Sequence, residues 1–161
     1  MSCKSMQNVL VAVASFAAFA IADAPNAAAA EPFKATLTGN AHPDFTHFPV
    51  VTNEETGVGE ATHLGRFIWE DEEVAVFAPD GTFTVEGTFT MTAANGDQIF
   101  GEFTTTGYIN GDGNLVIHGN YEFTGGTGRF ADVSGSGELD AVGGGPPDSP
   151  FSGTFSGTIS Y

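Results

Sequence analysis

The longest unbroken alternation in the chain runs over residues 82–92. Phe83, Val85, Gly87, Phe89 and Met91 fall on one side of an extended backbone, and Thr82, Thr84, Glu86, Thr88, Thr90 and Thr92 on the other. Side chains of a β-strand point alternately to opposite faces, so this run has one apolar face and one face coated with threonine. The same period of two returns in 115–124, where Leu115, Ile117, Gly119, Tyr121 and Phe123 share a side. It returns again in 133–141 and in 151–161, where Phe151, Gly153, Phe155, Gly157, Ile159 and Tyr161 do so. A helix would scatter each of these sets around its circumference. The chain is therefore committed to sheet, and no stretch after residue 30 signals a helix.

The turns between the runs carry the residues that tight turns need. Pro79-Asp80-Gly81, Asn95-Gly96 and the segment 110–114 (Asn-Gly-Asp-Gly-Asn) each separate two strand-like runs, with glycine supplying φ > 0 and Asn or Asp bonding its own backbone. Asn110, Asp112 and Asn114 also have the look of a calcium loop. Leu115, however, stands where that loop has glycine, and both flanks are strand-like, so a hairpin is expected. The expected strands are 33–39, 61–70, 73–78, 82–92, 97–109, 115–124, 133–141 and 151–161, with the acidic Glu70-Asp-Glu-Glu73 as a turn. Residues 40–60, containing His42, Asp44, His47, Glu54 and Glu55 without a sustained period, read as a long loop. His42, Asp44 and His47 are metal-ligating residue types, but their spacing matches no ligand motif. Residues 143–147 (Gly-Gly-Gly-Pro-Pro) read as a further loop.

Eight strands joined mostly by short turns predict an all-β, antiparallel up-and-down barrel, with a two-sheet sandwich as the alternative. Alternation up to Tyr161 places the last strand against 33–39, which would close the sheet. Glycines alternating with Phe and Ile on the inner face suit a small barrel, whose interior is either filled by side chains or wide enough for one small ligand.

Residues 124–130, Thr-Gly-Gly-Thr-Gly-Arg-Phe, followed by Ser-Gly-Ser-Gly at 134–137, join two strands and place Phe130 to fold back onto the core. This segment resembles the Gly-Gly-(Ser/Thr)-Gly-x-Phe turn of the allene oxide cyclase and dirigent families over about residues 120–139. The resemblance implies an eight-stranded barrel of the allene oxide cyclase-like, or calycin-like, type. It carries over a structural turn only, because the catalytic acids of those families and the dirigent arginine have no residue-by-residue match here. Residues 61–67 (Ala-Thr-His-Leu-Gly-Arg-Phe) also look similar to secreted bacterial barrels of that type.

Residues 1–30 read as a cleavable export signal, with Lys4 before an apolar run at 9–22 and Ala28-Ala29-Ala30 as the small-residue cleavage site. A secreted or periplasmic protein is expected, with residues 31–161 as a single domain and no membrane span in the mature chain. Cleavage would remove Cys3, the only cysteine, leaving no disulfide. Thirteen of the fifteen phenylalanines would remain to build the core. The net charge of −16 disfavours nucleic acid as a partner, since no basic patch can neutralise phosphates.

No nucleophile motif, phosphate-binding loop or dinucleotide fingerprint is present, so no cofactor is implied. His63, Arg66 and Trp69 share one expected strand, with Arg66 on the opposite face from the other two. Tyr108 and Tyr121, with Glu102 and His118, belong to neighbouring strands. His63, Arg66, Trp69, Tyr108 and Tyr121 are thus the candidate ligand-binding residues. The function expected is the binding of a small, largely apolar molecule in the lumen. The alternatives are a cofactor-free cyclase or isomerase acting there, and a filled barrel working through its surface.

Overall fold

The computed structural model describes residues 29–145 and 149–161. Eight antiparallel strands follow one another around a closed barrel: β1 (Glu31–Asp44), β2 (Val50–Ala61), β3 (Gly65–Phe77), β4 (Thr82–Ala93), β5 (Gln98–Ile109), β6 (Leu115–Gly126), β7 (Ser136–Gly143) and β8 (Pro150–Ile159). Closure comes from β1 pairing with β8, Phe33 opposite Gly157 and Leu37 opposite Gly153, which leaves no sheet edge to be capped. The expected final-strand pairing is therefore the one found. Residues 1–28 of the expected signal, and Pro146 and Pro147 of the expected loop, lie outside the described residues. No described helix is long and apolar enough to cross a membrane.

The eight strands are partitioned differently from the sequence expectation. Residues 40–60 are not a loop: β1 continues to Asp44, a five-residue turn containing the cis Phe48–Pro49 bond follows, and β2 returns along β1. Glu70 to Glu73 do not turn but run through the middle of β3. The residues expected as the start of that strand, 62–64, form the β2–β3 turn, with His63 at φ 69°. One unexpected strand and one fused pair cancel, so the total is unchanged. Pro43 is accommodated because the β1–β8 pairing stops at Asn40 and Ala41 N–H still donates to Ser149 O at 2.9 Å, whereas Pro43 itself is paired only with Asn53 of β2.

Alternation of large rings with glycine shapes the interior. Phe89 sits opposite Gly101 and Phe83 opposite Gly107 across the β4–β5 pair. A Cβ on Gly101 would lie 2.2 Å from the Phe89 ring, and one on Gly107 2.4 Å from the Phe83 ring. Each ring lies flat across its neighbour's bare backbone, which is how a barrel this narrow holds so many phenylalanines. At mid-height Trp69 stacks on Phe89 at 4.9 Å, and Phe155 meets Trp69, Phe89 and Tyr121 at 5.5, 5.7 and 4.9 Å between ring centres. This aromatic layer divides the lumen in two.

Below the layer the barrel is solid. The glycine-rich segment after β6 forms one turn of 3-10 helix, Gly128–Phe130, and delivers the fully buried Phe130 into the barrel end, its ring 5.0 Å from that of Tyr161. The hairpin 94–97 and this turn hold each other: Thr127 N–H donates to Gln98 O at 2.8 Å, and Gln98 N–H donates to Thr127 Oγ1 at 2.9 Å. Gly128 has φ 58°, and a Cβ there would fall 1.9 Å from Asp97 Oδ1, so only glycine fits. Arg129 reaches over the Phe130 ring, 4.6 Å from its centre, and its guanidinium donates to the His63 carbonyl. The motif singled out in the sequence is the plug of the barrel.

Candidate functional site

Above the aromatic layer the lumen is open. A cavity of about 110 Å³ remains at the end carrying the 45–49, 78–81 and 110–114 turns, compared with the roughly 10–15 Å³ that one water requires on this measure. Its walls are chiefly apolar: Leu37 from β1, Phe77 from β3, Phe83 and Val85 from β4, Phe103 from β5, Leu139 from β7 and Phe151 from β8, with Trp69 and Phe155 beneath.

One wall is different. On β2 the inward positions after Val51 are Asn53 and Glu55, and on β3 those after Trp69 are Asp71 and Glu73. The register sets Asn53 opposite Glu73 and Glu55 opposite Asp71. Four polar side chains therefore form a two-by-two patch inside an apolar cup. Asn53 Nδ2 donates to Glu55 Oε1 at 3.0 Å and to Glu73 Oε1 at 2.8 Å. Among the described residues no Lys, Arg or His lines the cavity, where three carboxyl groups share the space.

Burial is the main cause of their altered acidity, since it penalises the charged form, and mutual repulsion adds to it. Asp71, only 7% exposed, is pushed up to about 9 by burial, then by Glu55 and Glu73, with the nearby Trp69 acting in the opposite direction. Glu55 is raised to about 8 by burial and by Glu73, and its bond from Asn53 offsets part of this. Glu73 is raised by burial, again opposed by Asn53. The three titrate as a unit, and near neutrality the patch retains protons.

Several polar atoms at the cavity have no hydrogen-bond partner: Asn53 Oδ1, Trp69 Nε1, Asp71 Oδ1 and, on β5, Thr105 Oγ1. The Trp69 N–H lies near enough to Asp71 to favour its charged form, but neither it nor Asp71 Oδ1 meets hydrogen-bond geometry. Buried polar groups are ordinarily satisfied.

Of the five residues proposed from sequence, Trp69 alone lines this cavity. Tyr121 faces inward but lies in the aromatic layer, its buried hydroxyl unpartnered and pushed up to about 12 by burial. Arg66 and Tyr108 are exposed on the outer face. His63 lies in the turn at the plugged end, 3.1 Å from Pro32 O and 3.2 Å from the Tyr161 hydroxyl, so it ties the start of β1 to Tyr161 and is remote from the cavity. Glu102, His118, Tyr108 and Tyr121 do not converge. His118 instead pairs with Asp140 at 2.7 Å on the exterior, which holds its ring above the ordinary value.

Among the described residues, no group of three or more His, Cys, Asp or Glu is placed to hold a metal ion. Asn110 Oδ1 accepts from the N–H groups of Asp112 and Asn114 at 3.0 and 2.9 Å, the expected hairpin turn. By sequence, Asn53 and Glu55 fall in the expected 40–60 loop, Glu55 near the metal-type His42, Asp44 and His47, and Asp71 and Glu73 fall in an expected acidic turn; Thr105 is not singled out, and none of the five is among the ligand-binding candidates expected there. The available signal was parity: Phe67, Trp69, Asp71, Glu73, Ala75 and Phe77 keep one period of two through the acidic run.

The chain matches no family model, no curated protein and no solved structure.

Proposed function

We propose that this protein binds a small, largely apolar molecule, with one polar end, in the open half of its lumen. The observation that carries the reading is the conjunction just described: an apolar cavity of about 110 Å³ whose carboxyl groups cluster on the β2–β3 wall, with unpartnered polar atoms there and at Thr105 on β5. Concave, mostly apolar sites with a few convergent polar groups are where proteins hold small molecules. The export signal at residues 1–30 belongs to the same proposal. It is supported by the start of β1 at Glu31, next to the expected cleavage point, and it makes the binder a secreted or periplasmic one. Kinship with the allene oxide cyclase-like barrels is supported by the barrel and by the turn at 124–130, and stays part of the proposal.

A second reading, cofactor-free isomerisation or cyclisation in the lumen, is favoured by one feature. Carboxyl groups that keep their protons in an apolar pocket are suited to donating one to a reacting molecule. Loss of the added molecule, followed by chromatography, separates turnover from binding.

The test uses Trp69, the only tryptophan in the chain, as a reporter at the cavity floor. Small neutral aromatics such as benzyl alcohol are expected to shift or quench its emission saturably. Ala141→Phe, which places a ring in the same space, is expected to abolish the saturable change. Equal responses from both proteins would place the binding elsewhere and defeat the reading.

A further inference from the structure

We propose that the lumen selects organic amines: molecules with a compact apolar body and a single ammonium group that docks on the Asn53–Glu55–Asp71–Glu73 patch. The inference rests on the lumen-binding reading above and names the class of ligand for it.

The first argument is charge. Among the described residues, the titratable groups facing the cavity are Glu55 from β2 and Asp71 and Glu73 from β3, while β1, β4, β5, β6, β7 and β8 present apolar side chains, glycine or neutral hydroxyls there. Three carboxyl groups with no cation among them keep their protons, and one positive charge seated beside them would stabilise the carboxylate form and complete a buried ion pair.

A second, independent observation points the same way. Thr105 (2% exposed) and Asn53 (9% exposed) both line the cavity, and Thr105 Oγ1 and Asn53 Oδ1 have no partner. Both oxygens accept hydrogen bonds, as does Asp71 Oδ1 once ionised. An ammonium group offers up to three N–H donors to such a set.

The surroundings decide the kind of cation. Aromatic rings of Trp69, Phe77, Phe83 and Phe103 line the space, and aromatic faces attract ammonium groups while accommodating an apolar body. A bare metal ion would gain little from these walls, and no cluster among the described residues is set to ligate one.

Binding moves protons in a defined direction. The patch holds protons when empty, and an ammonium group seated against it favours the carboxylate form, so a carboxyl proton passes to solvent as the cation enters. Uptake of one amine thus releases up to one proton, and affinity rises with pH by up to about tenfold per unit while that linkage operates.

The experiment compares benzylamine with benzyl alcohol, of the same size and shape, on the purified protein. Calorimetry is run between about pH 6 and pH 8 in buffers of different ionisation enthalpy, with Trp69 emission followed in parallel. The expected result is binding of the amine at least about tenfold tighter than the alcohol at about pH 8, with measurable proton release. In Asp71→Asn, the preference and the release should both shrink, with cooperative unfolding showing that the variant is folded. Equal affinities, or amine binding without proton release, would overturn amine selection and leave the lumen reading standing. Absence of binding by either molecule would overturn both.

Discussion

Phe155→Ala is expected to lower the unfolding free energy by about 3–5 kcal/mol. Phe155 is 2% exposed and touches Trp69, Phe89 and Tyr121 in the layer that closes off the lower half of the lumen. Removing its ring takes away buried apolar surface and leaves a void that the rigid closed sheet cannot collapse to fill. Phe155 also lines the cavity above, so the loss opens the floor of the proposed binding space and should blunt the Trp69 response to ligand. Phe48, in the turn at the open end and 65% exposed, supplies the control: Phe48→Ala should stay within about 0.5 kcal/mol. Urea unfolding of the two variants checks both values. A loss below about 1 kcal/mol for Phe155→Ala would mean that the aromatic layer is not the centre of the core.

Stability should fall as the pH rises from about 5 to about 9, and Asp71→Asn should flatten that fall. The sign follows from the direction of the shifts. Asp71 and Glu55 are raised, to about 9 and about 8, from ordinary values of 3.8 and 4.5. Between the ordinary and the raised values, the folded protein keeps protons that the unfolded chain has lost. Each such proton makes the unfolding free energy decline by about 1.4 kcal/mol per pH unit. The stabilisation is fully present below about pH 4 and lost as the pH passes through the folded values. Replacing Asp71 by the neutral, nearly isosteric amide removes one of the protons concerned and relieves the repulsion on Glu55. Urea midpoints measured across this range give the slope directly. A wild-type slope of zero, or one of the opposite sign, would show that the carboxyl groups are ionised and solvated in the folded state.

The barrel was legible in the sequence wherever its inward residues are apolar. From Thr82 onward the alternation located the strands, the turns and the closing strand, and the glycine segment at 124–130 correctly announced that Phe130 folds inward. Errors cluster at β2 and the middle of β3, where the inward residues are Asn53, Glu55, Asp71 and Glu73. An apolar count sees no strand when the buried face is acidic, so β2 read as a loop and β3 as two strands with a turn between them. The residues that hid the strands are those of the candidate site. Local expectation fails where a chain departs from the most stable arrangement to build a site. The misplacement of His63 and Arg66 has a simpler cause: the turn at 62–64 falls inside the run expected to be continuous, and β3 begins only after it, with Arg66 outward.

The most direct measurement is a crystal structure of the protein grown or soaked with benzyl alcohol. One molecule is expected in the upper lumen, its ring above Trp69 and Phe155 and its hydroxyl toward the Asn53 and Asp71 wall. A lumen closed by rearranged phenylalanine side chains, or a ligand found only on the outer face of the barrel, would contradict binding in the lumen.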